Sequence, residues 1–334
     1  MALDGKLLAR AKAALEEKRK LAEDLFERKV LRVYAVAPQV RALDSEIRAT
    51  MTALVRAALT PDGESQIAEI RSRNILLQEQ RRRELLQAGF PVDYLDDDYI
   101  CPDCRDTGYS GTKICSCLMN LYKEEQKKSL SNLFKLGDET FDSFDLSYYD
   151  DASTLDADPS ARKSMEIIYD TCVEYARKFG EKSVNLFFNG NPGLGKTFLS
   201  ACIAHVVADN GYSVVYDMSS TIFSKFEEVR FSRSDDTEEA RNETKRYLDC
   251  DLLILDDLGT EMTTAFTISV LYDIINSRLM TGKKTIISSN LSLNELRHRY
   301  SEQIMSRIEG DYQLLTFRGS DIRLKKRNAF LEQT

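Results

Sequence analysis

Apolar and polar positions alternate with a helical period through the first 90 residues of the chain. Leucines recur at this spacing among charged residues over 3–35, which predicts one long helix that Pro38 interrupts. The same pattern predicts a helix over about 39–59, a turn at 60–63 and a third helix to Gln87, where Gly89 supplies a stop. We expect an antiparallel bundle or hairpin that packs on itself or presents a face to a partner.

After about residue 160, short apolar runs alternate with amphipathic stretches. Strands are predicted at 184–188, 213–218, 252–255, 285–289 and 313–317. Helices are predicted at 161–179, 196–209, 264–280 and 292–309, with a charged helical stretch at 220–249. Strands that alternate with helices indicate an α/β domain with a mostly parallel sheet flanked by helices.

The residues between these two regions carry neither pattern for long. A cysteine-rich segment occupies 99–118, and a polar helix is predicted near 118–131. The acidic, turn-rich residues that follow, to about 159, predict an irregular linker.

Composition narrows the class of protein. The 334 residues are 43% hydrophobic and carry a net charge of −8, which argues against coating nucleic acid by bulk electrostatics. No apolar run approaches the roughly 20 residues that span a bilayer, and the charged first residues lack a signal-peptide pattern. We therefore expect a cytoplasmic protein with no membrane partner, in a compartment where thiols stay reduced.

Four of the seven cysteines lie close together in the chain. Cys101, Cys104, Cys115 and Cys117 follow the pattern C-x2-C-x10-C-x-C, in which two tight turns each supply a pair of thiolates. The spacing predicts a structural Zn²⁺ site, which would make this short segment a four-cysteine zinc clip because it cannot build a core alone. An iron–sulfur cluster is the alternative, while a redox dithiol is disfavoured because no βαβ pattern surrounds Cys101.

A glycine-rich loop follows the strand predicted at 184–188 and opens a helix. Its sequence, Gly190-Asn191-Pro192-Gly193-Leu194-Gly195-Lys196-Thr197, has the pattern G-x-x-x-x-G-K-T, and Phe198 follows it. In this context the loop amides point at the phosphates of ATP, and the helix N-terminus adds partial positive charge. Lys196 would bridge the β- and γ-phosphates, and the Thr197 hydroxyl would bind Mg²⁺.

Two consecutive acids follow the apolar run 252–255, and ligands bind at the carboxyl ends of parallel strands. Asp256 would hold Mg²⁺, and Asp257 would orient or deprotonate the attacking water. A helix cap after a core strand is the alternative for an isolated Asp-Asp pair. Asn290 ends the next apolar strand, and it can contact the γ-phosphate or the water if that strand neighbours the other two.

These motifs together resemble the AAA+ ATPases of the bacterial DnaC/DnaI-type helicase loaders, with the IstB transposition helpers as close kin. The resemblance rests on GNPGLGKT, LLILDDLGTE, TIISSNLS and MSRIEG…FRGSDIR and spans about 160–327, while residues 94–118 resemble the cysteine segment of clostridial DnaC-like proteins. It implies that Arg307 is an arginine finger for a neighbouring subunit's ATP and that Arg323 is a second sensor. It further implies a spiral oligomer, a grip on single-stranded DNA and a hexameric replicative helicase as partner.

The resemblance therefore predicts an ATP-dependent loader of the replicative helicase. Asp257 is one methylene shorter than the glutamate of most AAA+ enzymes, so we expect slow hydrolysis. A transposition helper and an ATP-gated binding switch with negligible turnover are the alternatives.

We expect DNA binding to be weak and sensitive to salt. Two groups of residues are candidates for contacting DNA: Phe231, Lys225, Arg230 and Arg233 within 219–249, and the basic tail of Arg318, Arg323, Lys325, Lys326 and Arg327. Phe223 and Phe226, also within 219–249, are expected in the core.

We expect four segments along the chain. They are a partner-binding helical region at 1–90, the zinc segment and its helix at 91–131, a linker at 132–159 and an AAA+ ATPase domain at 160–334. The expected cofactors are ATP and Mg²⁺ in the last segment and structural Zn²⁺ in the second.

Overall fold

The computed structural model describes residues 3–59, 63–96, 99–134, 139–151, 159–231 and 237–332. Contacts divide the chain into two compact units, one of residues 12–118 and one of residues 1–11 with 119–334. Most of the turn predicted at 60–63, two parts of the predicted linker (135–138 and 152–158) and Arg233 lie outside the described residues. The four-segment division stays a prediction. No described helix is long and apolar enough to cross a membrane.

The three helices predicted from the leucine pattern are confirmed. They are α1 (Gly5–Val36), α2 (Pro38–Ala57) and α3 (Gly63–Gln87). Pro38 occupies the first turn of α2, where its missing N–H would have had no helical partner. Gly89 stops α3 with a φ of 80°, and the Phe90 N–H donates to the Leu85 carbonyl at 2.9 Å to close the cap.

The unit formed by residues 12–118 has a small core. Val33, Val40, Leu85 and Leu95 are buried together. Around them the Asp44 carboxylate accepts from the Tyr34 hydroxyl at 2.9 Å and pairs with Arg81 at 2.6 Å, while large apolar side chains stay exposed on all three helices, including Leu21, Leu31, Met51 and Leu76. The unit therefore leaves several large apolar side chains exposed outside its core.

The cysteine segment forms a small hairpin that the sequence did not predict. Strands β1 (Tyr109–Ser110) and β2 (Lys113–Ile114) pair antiparallel, and α4 (Ser116–Phe134) follows at the position of the predicted polar helix. Gly111 lies in the turn between the strands with a φ of 62°, a conformation that glycine adopts without strain.

The larger unit contains a five-stranded parallel sheet, so the predicted α/β class is confirmed. Its strands are β3 (Asn185–Asn189), β4 (Val214–Met218), β5 (Leu252–Leu258), β6 (Lys284–Ser289) and β7 (Tyr312–Thr316), in the order β4-β5-β6-β3-β7. The helices are α5 (Ala161–Arg177), α6 (Lys196–Asp209), α7 (Ser219–Phe231), α8 (Thr237–Asp249), α9 (Ala265–Met280), α10 (Leu293–Arg299), α11 (Glu302–Asp311) and α12 (Ile322–Glu332). Strand β6 thus lies between β3 and β5.

Helices cover both faces of the sheet, which explains why its strands read as continuous apolar runs. Successive strand residues point to opposite faces, so Leu186 and Phe188 join a core with α5 and α6, whereas Phe187 joins a core with α7, α8 and α9. Both cores are packed closely enough that Phe187 and Phe188 are fully buried.

Two further features were missed by the sequence patterns. Residues 139–151 of the predicted linker contain two 3-10 turns (Phe141–Ser143 and Leu146–Tyr148), and they end in the buried Tyr149, whose hydroxyl donates to the Leu194 carbonyl at 2.8 Å. The basic tail forms α12, and its Lys325 ammonium donates to the Tyr148 carbonyl at 2.7 Å. These segments carry no long apolar period, so only tertiary contacts fix them.

The fully buried Arg278 ties the ends of three elements together. Its guanidinium donates to the carbonyls of Tyr247 at 2.8 Å, Cys250 at 3.0 Å and Lys284 at 2.5 Å, and to the Thr285 hydroxyl at 2.9 Å. The end of α9 is thereby joined to the end of α8 and to the start of β6. A buried cation is tolerated here because these oxygens replace its water.

We predict that Arg278→Met lowers the free energy of unfolding by about 3 kcal/mol, because buried carbonyls lose their donors. Urea unfolding followed by circular dichroism measures the change. Arg177→Met is the matched control, since Arg177 is exposed on α5 and its loss should cost less than about 0.5 kcal/mol. Equal midpoints for the two variants would contradict the role of Arg278.

Candidate functional site

The phosphate loop joins the end of β3 to the start of α6 and has little room for side chains. Gly190 and Gly193 have φ values of 149° and 77°. A Cβ at Gly190 would lie 2.5 Å from the Phe317 carbonyl oxygen, and one at Gly193 would lie 2.0 Å from the Asp321 carboxylate. Glycine is therefore required at both positions, and the loop can turn its amides inward.

Lys196 is buried inside this loop rather than extended into solvent. Its ammonium donates to the carbonyls of Gly190 at 2.6 Å and Asn191 at 2.8 Å, and to the Asn290 side-chain oxygen at 2.7 Å. Burial lowers the pKa of Lys196 to about 8, although the charges of Asp256 and Asp257 oppose the shift. The predicted cation therefore lies at the carboxyl edge of the sheet, with the predicted acids and asparagine beside it.

Asp256 is held by donors from three other elements. Its carboxylate accepts from the Thr197 hydroxyl at 3.0 Å and from the hydroxyls of Tyr216 on β4 and Ser288 on β6. Burial and the Asp256 charge raise the pKa of Tyr216 well above its ordinary value, so the phenol stays a donor. Sequence reasoning missed Tyr216 and Ser288, because only the pairing of β4 and β6 with β5 places them here.

Asp257 sits in an irregularity of β5 and turns away from the regular strand. The pairing of β5 with β6 shifts between Leu255 and Leu258, and Asp257 has a φ of 60°, which costs a non-glycine residue about 1–2 kcal/mol. The Asn290 side-chain amide donates to the Asp257 carboxylate, and the backbone N–H of Asp257 donates to the Ser288 hydroxyl at 3.0 Å. Burial and the Asp256 charge raise the pKa of Asp257.

Asn290 connects the cation to the second acid. Its side-chain oxygen accepts from Lys196 while its amide nitrogen donates to Asp257. The sequence placed Asn290 near the phosphates only if its strand lies next to the strands of the phosphate loop and of the two acids. This is the case, because β6 pairs with both β3 and β5.

The apolar residues of the loop pack against the segment 139–151. Leu194 is buried, and the Phe198 ring lies 5.6 Å from the Phe144 ring, which stacks on Tyr149. Asn191 and Pro192 lie at the outside of the loop. Aromatic side chains of the segment 139–151 thus pack against the phosphate loop.

The two predicted arginines lie at different places. Arg307, half-buried on α11, has its guanidinium 5.5 Å from the Tyr272 ring and makes no hydrogen bond to the phosphate loop within the described residues. Arg323 is exposed in the first turn of α12, next to Ile322, whose N–H donates to the Gly193 carbonyl at 3.0 Å. The structure therefore brings Arg323 beside the loop and leaves Arg307 outside this chain's own cluster.

The four predicted zinc ligands converge. The sulfur atoms of Cys101, Cys104, Cys115 and Cys117 all lie within 4.8 Å of one another, with Cys101 to Cys115 at 3.7 Å and Cys104 to Cys117 at 3.4 Å. The Gly108 N–H donates to the Cys104 sulfur at 3.3 Å. The Asp106 carboxylate accepts from the Cys101 N–H at 2.7 Å and shapes the first turn. The other three cysteines, Cys172, Cys202 and Cys250, are buried apart from this cluster.

The candidate DNA groups divide between the core and the surface. Phe223 is buried and Phe226 packs against the same core, as expected, whereas Phe231 is 64% exposed. The Arg230 guanidinium lies 5.1 Å from the Phe266 ring, beside Phe231. Lys225 is paired with Glu243 at 3.1 Å, so it is a weaker candidate. In the tail, Lys325 is bound to Asp150 at 2.8 Å, while Arg318, Lys326 and Arg327 lie nearer the surface.

Comparison with known proteins gives concordant matches. The family described as IstB-like ATP binding protein matches residues 170–329. The replicative helicase loader DnaC of Buchnera aphidicola subsp. Baizongia pistaciae is 26% identical over 153 residues, which are 46% of this chain and 61% of that protein. DnaC of Escherichia coli K12 is 23% identical over 135 residues, 40% of this chain and 54% of that protein. The chain thus spans little more than half the length of these curated relatives.

Two solved structures also match about half of this chain. The crystal structure of the DnaC helicase loader covers 53% of this chain and 98% of that chain, with a TM-score of 0.42 and 22% identity. The crystal structure of DnaI covers 55% and 92%, with a TM-score of 0.40 and 23% identity. The region 170–329, which contains the phosphate loop, thus matches the IstB-like ATP-binding family and is similar in sequence to DnaC helicase loaders.

Proposed function

We propose that this protein is an ATP-dependent loader of the replicative DNA helicase, in which slow ATP hydrolysis serves as a switch. One observation carries the ATP part of the proposal. Lys196, Asn290 and Asp257 form a continuous hydrogen-bonded chain beside the Thr197–Asp256 pair, at the mouth of the phosphate loop. Such a cluster has the cation, the metal-binding oxygens and the base that phosphoryl transfer from ATP requires.

In this proposal the chain binds ATP mainly through groups that are already oriented. The loop amides and the start of α6 would surround the phosphates, and the Lys196 ammonium would exchange loop carbonyls for phosphate oxygens. Thr197 and Asp256 fit Mg²⁺ because both are hard oxygen ligands 3.0 Å apart, and the ion would neutralise charge on the β- and γ-phosphates.

Asp257 is the group we assign to the attacking water. Its raised pKa suits a base that accepts a proton, and Asn290 restricts the direction of its carboxylate. Its short side chain supports slow turnover. Arg307 would complete the site of a neighbouring subunit in a spiral oligomer, since its guanidinium faces the ring of Tyr272 rather than this chain's own phosphate loop. Arg323, at the start of α12, would contact the phosphates of its own subunit's ATP.

We predict that Lys196→Ala weakens binding of a fluorescent ATP analogue by about tenfold or more, because a buried charged donor is lost. Asp257→Asn should leave the affinity nearly unchanged and slow single-turnover hydrolysis about a hundredfold, because the base is removed. Lys182→Ala, at an exposed lysine before β3, is the matched control. The proposed site would be ruled out if the wild-type protein did not bind the ATP analogue, or if Lys196→Ala bound it with wild-type affinity.

The cysteine cluster fits a structural zinc ion. Four thiolates around Zn²⁺ with bonds near 2.3 Å stand about 3.8 Å apart, and two sulfur pairs here are at 3.4 Å and 3.7 Å. The Gly108 N–H points at the Cys104 sulfur, as an outer donor to a metal-bound thiolate would. Bound Zn²⁺ would cross-link this short segment, which has too few residues to be stabilised by an apolar core of its own.

Metal analysis tests the clip. We expect about one zinc per purified chain, and Cys104→Ser should release it and loosen the segment, which limited proteolysis would detect. Cys172→Ala is the control, because Cys172 lies on the buried side of α5 and should not affect metal content. Iron in place of zinc would favour the cluster alternative, and metal-free protein with reactive thiols would end the proposal.

The loader part of the proposal rests on the helicase loaders among the relatives and on two groups of exposed residues. Exposed leucines on α1 and α3 provide apolar positions at which a helicase could dock. Phe231 beside Arg230 provides a stacking group next to a cation, the combination that suits single-stranded DNA. The chain would grip DNA through the larger unit and its helicase through the helical one.

Co-purification tests the partner. With ATP present, the full chain should elute together with the hexameric replicative helicase of its own organism. Leu31→Glu and Leu76→Glu should abolish this co-elution, because they place charges on the exposed apolar face. Met280→Glu is the matched control at an exposed residue of the larger unit. Binding to a transposase instead of the helicase would favour the transposition-helper alternative.

A further inference from the structure

A third acid lies buried just after the two predicted site acids. Glu261 is only 7% exposed and ends the DDLGTE sequence. Its carboxylate accepts from the Gly259 N–H at 2.9 Å, from the Ser219 hydroxyl at 2.9 Å and from the Tyr300 hydroxyl. A buried carboxylate with three donors is fixed in one orientation.

These contacts close the turn that follows Asp257. The Asp257 carbonyl lies 3.1 Å from the same Ser219 hydroxyl and accepts from the Thr260 hydroxyl at 2.9 Å. Gly259, with a φ of 103°, packs so closely that a Cβ there would lie 2.4 Å from Leu291. The turn after Asp257 is therefore tightly packed, and the Glu261 carboxylate binds both the backbone of this turn at Gly259 and the neighbouring Ser219 hydroxyl.

The surrounding contacts fix the left-handed conformation of Asp257. A positive φ is uncommon outside glycine, and although aspartate adopts it more readily than most residues, it also has the alternative of extended backbone. The Asp257 N–H is fixed by Ser288 on β6, and its carbonyl side is fixed by the turn that Glu261 closes. Losing one of these two anchors would let the carboxylate swing away from Asn290.

Glu261 also joins elements that the predicted catalytic residues do not reach. Ser219 is the first residue of α7, whose last turn carries Arg230 and Phe231. Tyr300 caps α10 directly before α11, which carries Arg307. The adjacent Arg299 donates to the Glu261 carbonyl at 2.5 Å and to the Thr263 hydroxyl at 2.7 Å.

We propose that Glu261 is a positioning residue for ATP hydrolysis, which holds Asp257 in its catalytic direction by clamping the turn between Ser219 and Tyr300. This inference rests on the proposed ATPase function and adds a role that the phosphate-loop and acid motifs do not assign. Glu261 does not touch the nucleotide site itself, so its effect must pass through Asp257.

The test compares hydrolysis with nucleotide affinity in the full chain, with single-stranded DNA present. In Glu261→Gln, the amide oxygen can still accept from Gly259 and Ser219, but the N–H₂ faces Tyr300, whose hydroxyl must turn from donor to acceptor, and all three contacts lose the carboxylate charge that strengthens them. We expect kcat to fall about tenfold or more, while the Kd of a fluorescent ATP analogue changes less than about twofold because the phosphate loop is intact. Tyr300→Phe removes a single donor and should lower kcat about threefold with the same unchanged Kd.

Tyr175→Phe is the matched control for Tyr300→Phe. The Tyr175 hydroxyl is buried on α5 without a hydrogen-bond partner among the described residues, so its removal should leave kcat unchanged. All assays are run well below each variant's measured unfolding midpoint, so a loss of fold alone does not lower kcat. Active wild-type protein with unchanged kcat in both Glu261→Gln and Tyr300→Phe would overturn this inference alone. Wild-type protein that does not hydrolyse ATP would overturn the proposed function and this inference together.

Discussion

The burial of the Lys196 ammonium is the constraint on which the proposed ATP site depends. A cation removed from water must find oxygen acceptors, and Lys196 finds them on Gly190, Asn191 and Asn290. The first two require a loop that turns back over the lysine, which explains the left-handed glycines. The third requires β6 to lie beside β3, so the pairing of these two strands and the arrangement of the site are tied to one satisfied charge.

The two ends of the sheet divide polar functions between them. At the carboxyl ends, Asp256 accepts from the hydroxyls of Thr197, Tyr216 and Ser288, and Asp257 accepts from the Asn290 amide. Two carboxylates therefore lie close together, and the pKa of Asp257 is raised by burial and by the Asp256 charge. At the amino ends, Arg278 binds the Lys284 carbonyl and Thr285 at the start of β6. The groups that accept from the Arg278 guanidinium there are neutral, so these bonds fix the strand ends without creating a reactive group.

The elements that the sequence predicted are those with local signals. The apolar strands, the glycine loop and the paired cysteines are each recognisable within about 20 residues, the length of a short motif. Tyr216, Ser288 and Glu261 were missed because their roles arise from strand pairing and from a turn that no pattern encodes. Tyr149 was assigned to an irregular linker for the same reason, since its burial depends on Leu194, which lies 45 positions further along the chain.

The number of donors on Lys196 makes nucleotide binding an exchange rather than an addition. An ammonium has three N–H groups, and all three are already used by two loop carbonyls and Asn290. Phosphate oxygens can therefore reach Lys196 only if one of these bonds is given up. When the bond to Asn290 is the one released, the amide that orients Asp257 is free to turn toward the phosphate or the water. Occupancy of the phosphate loop and the direction of the base are then coupled through a single side chain, which is the arrangement that a nucleotide-controlled switch requires.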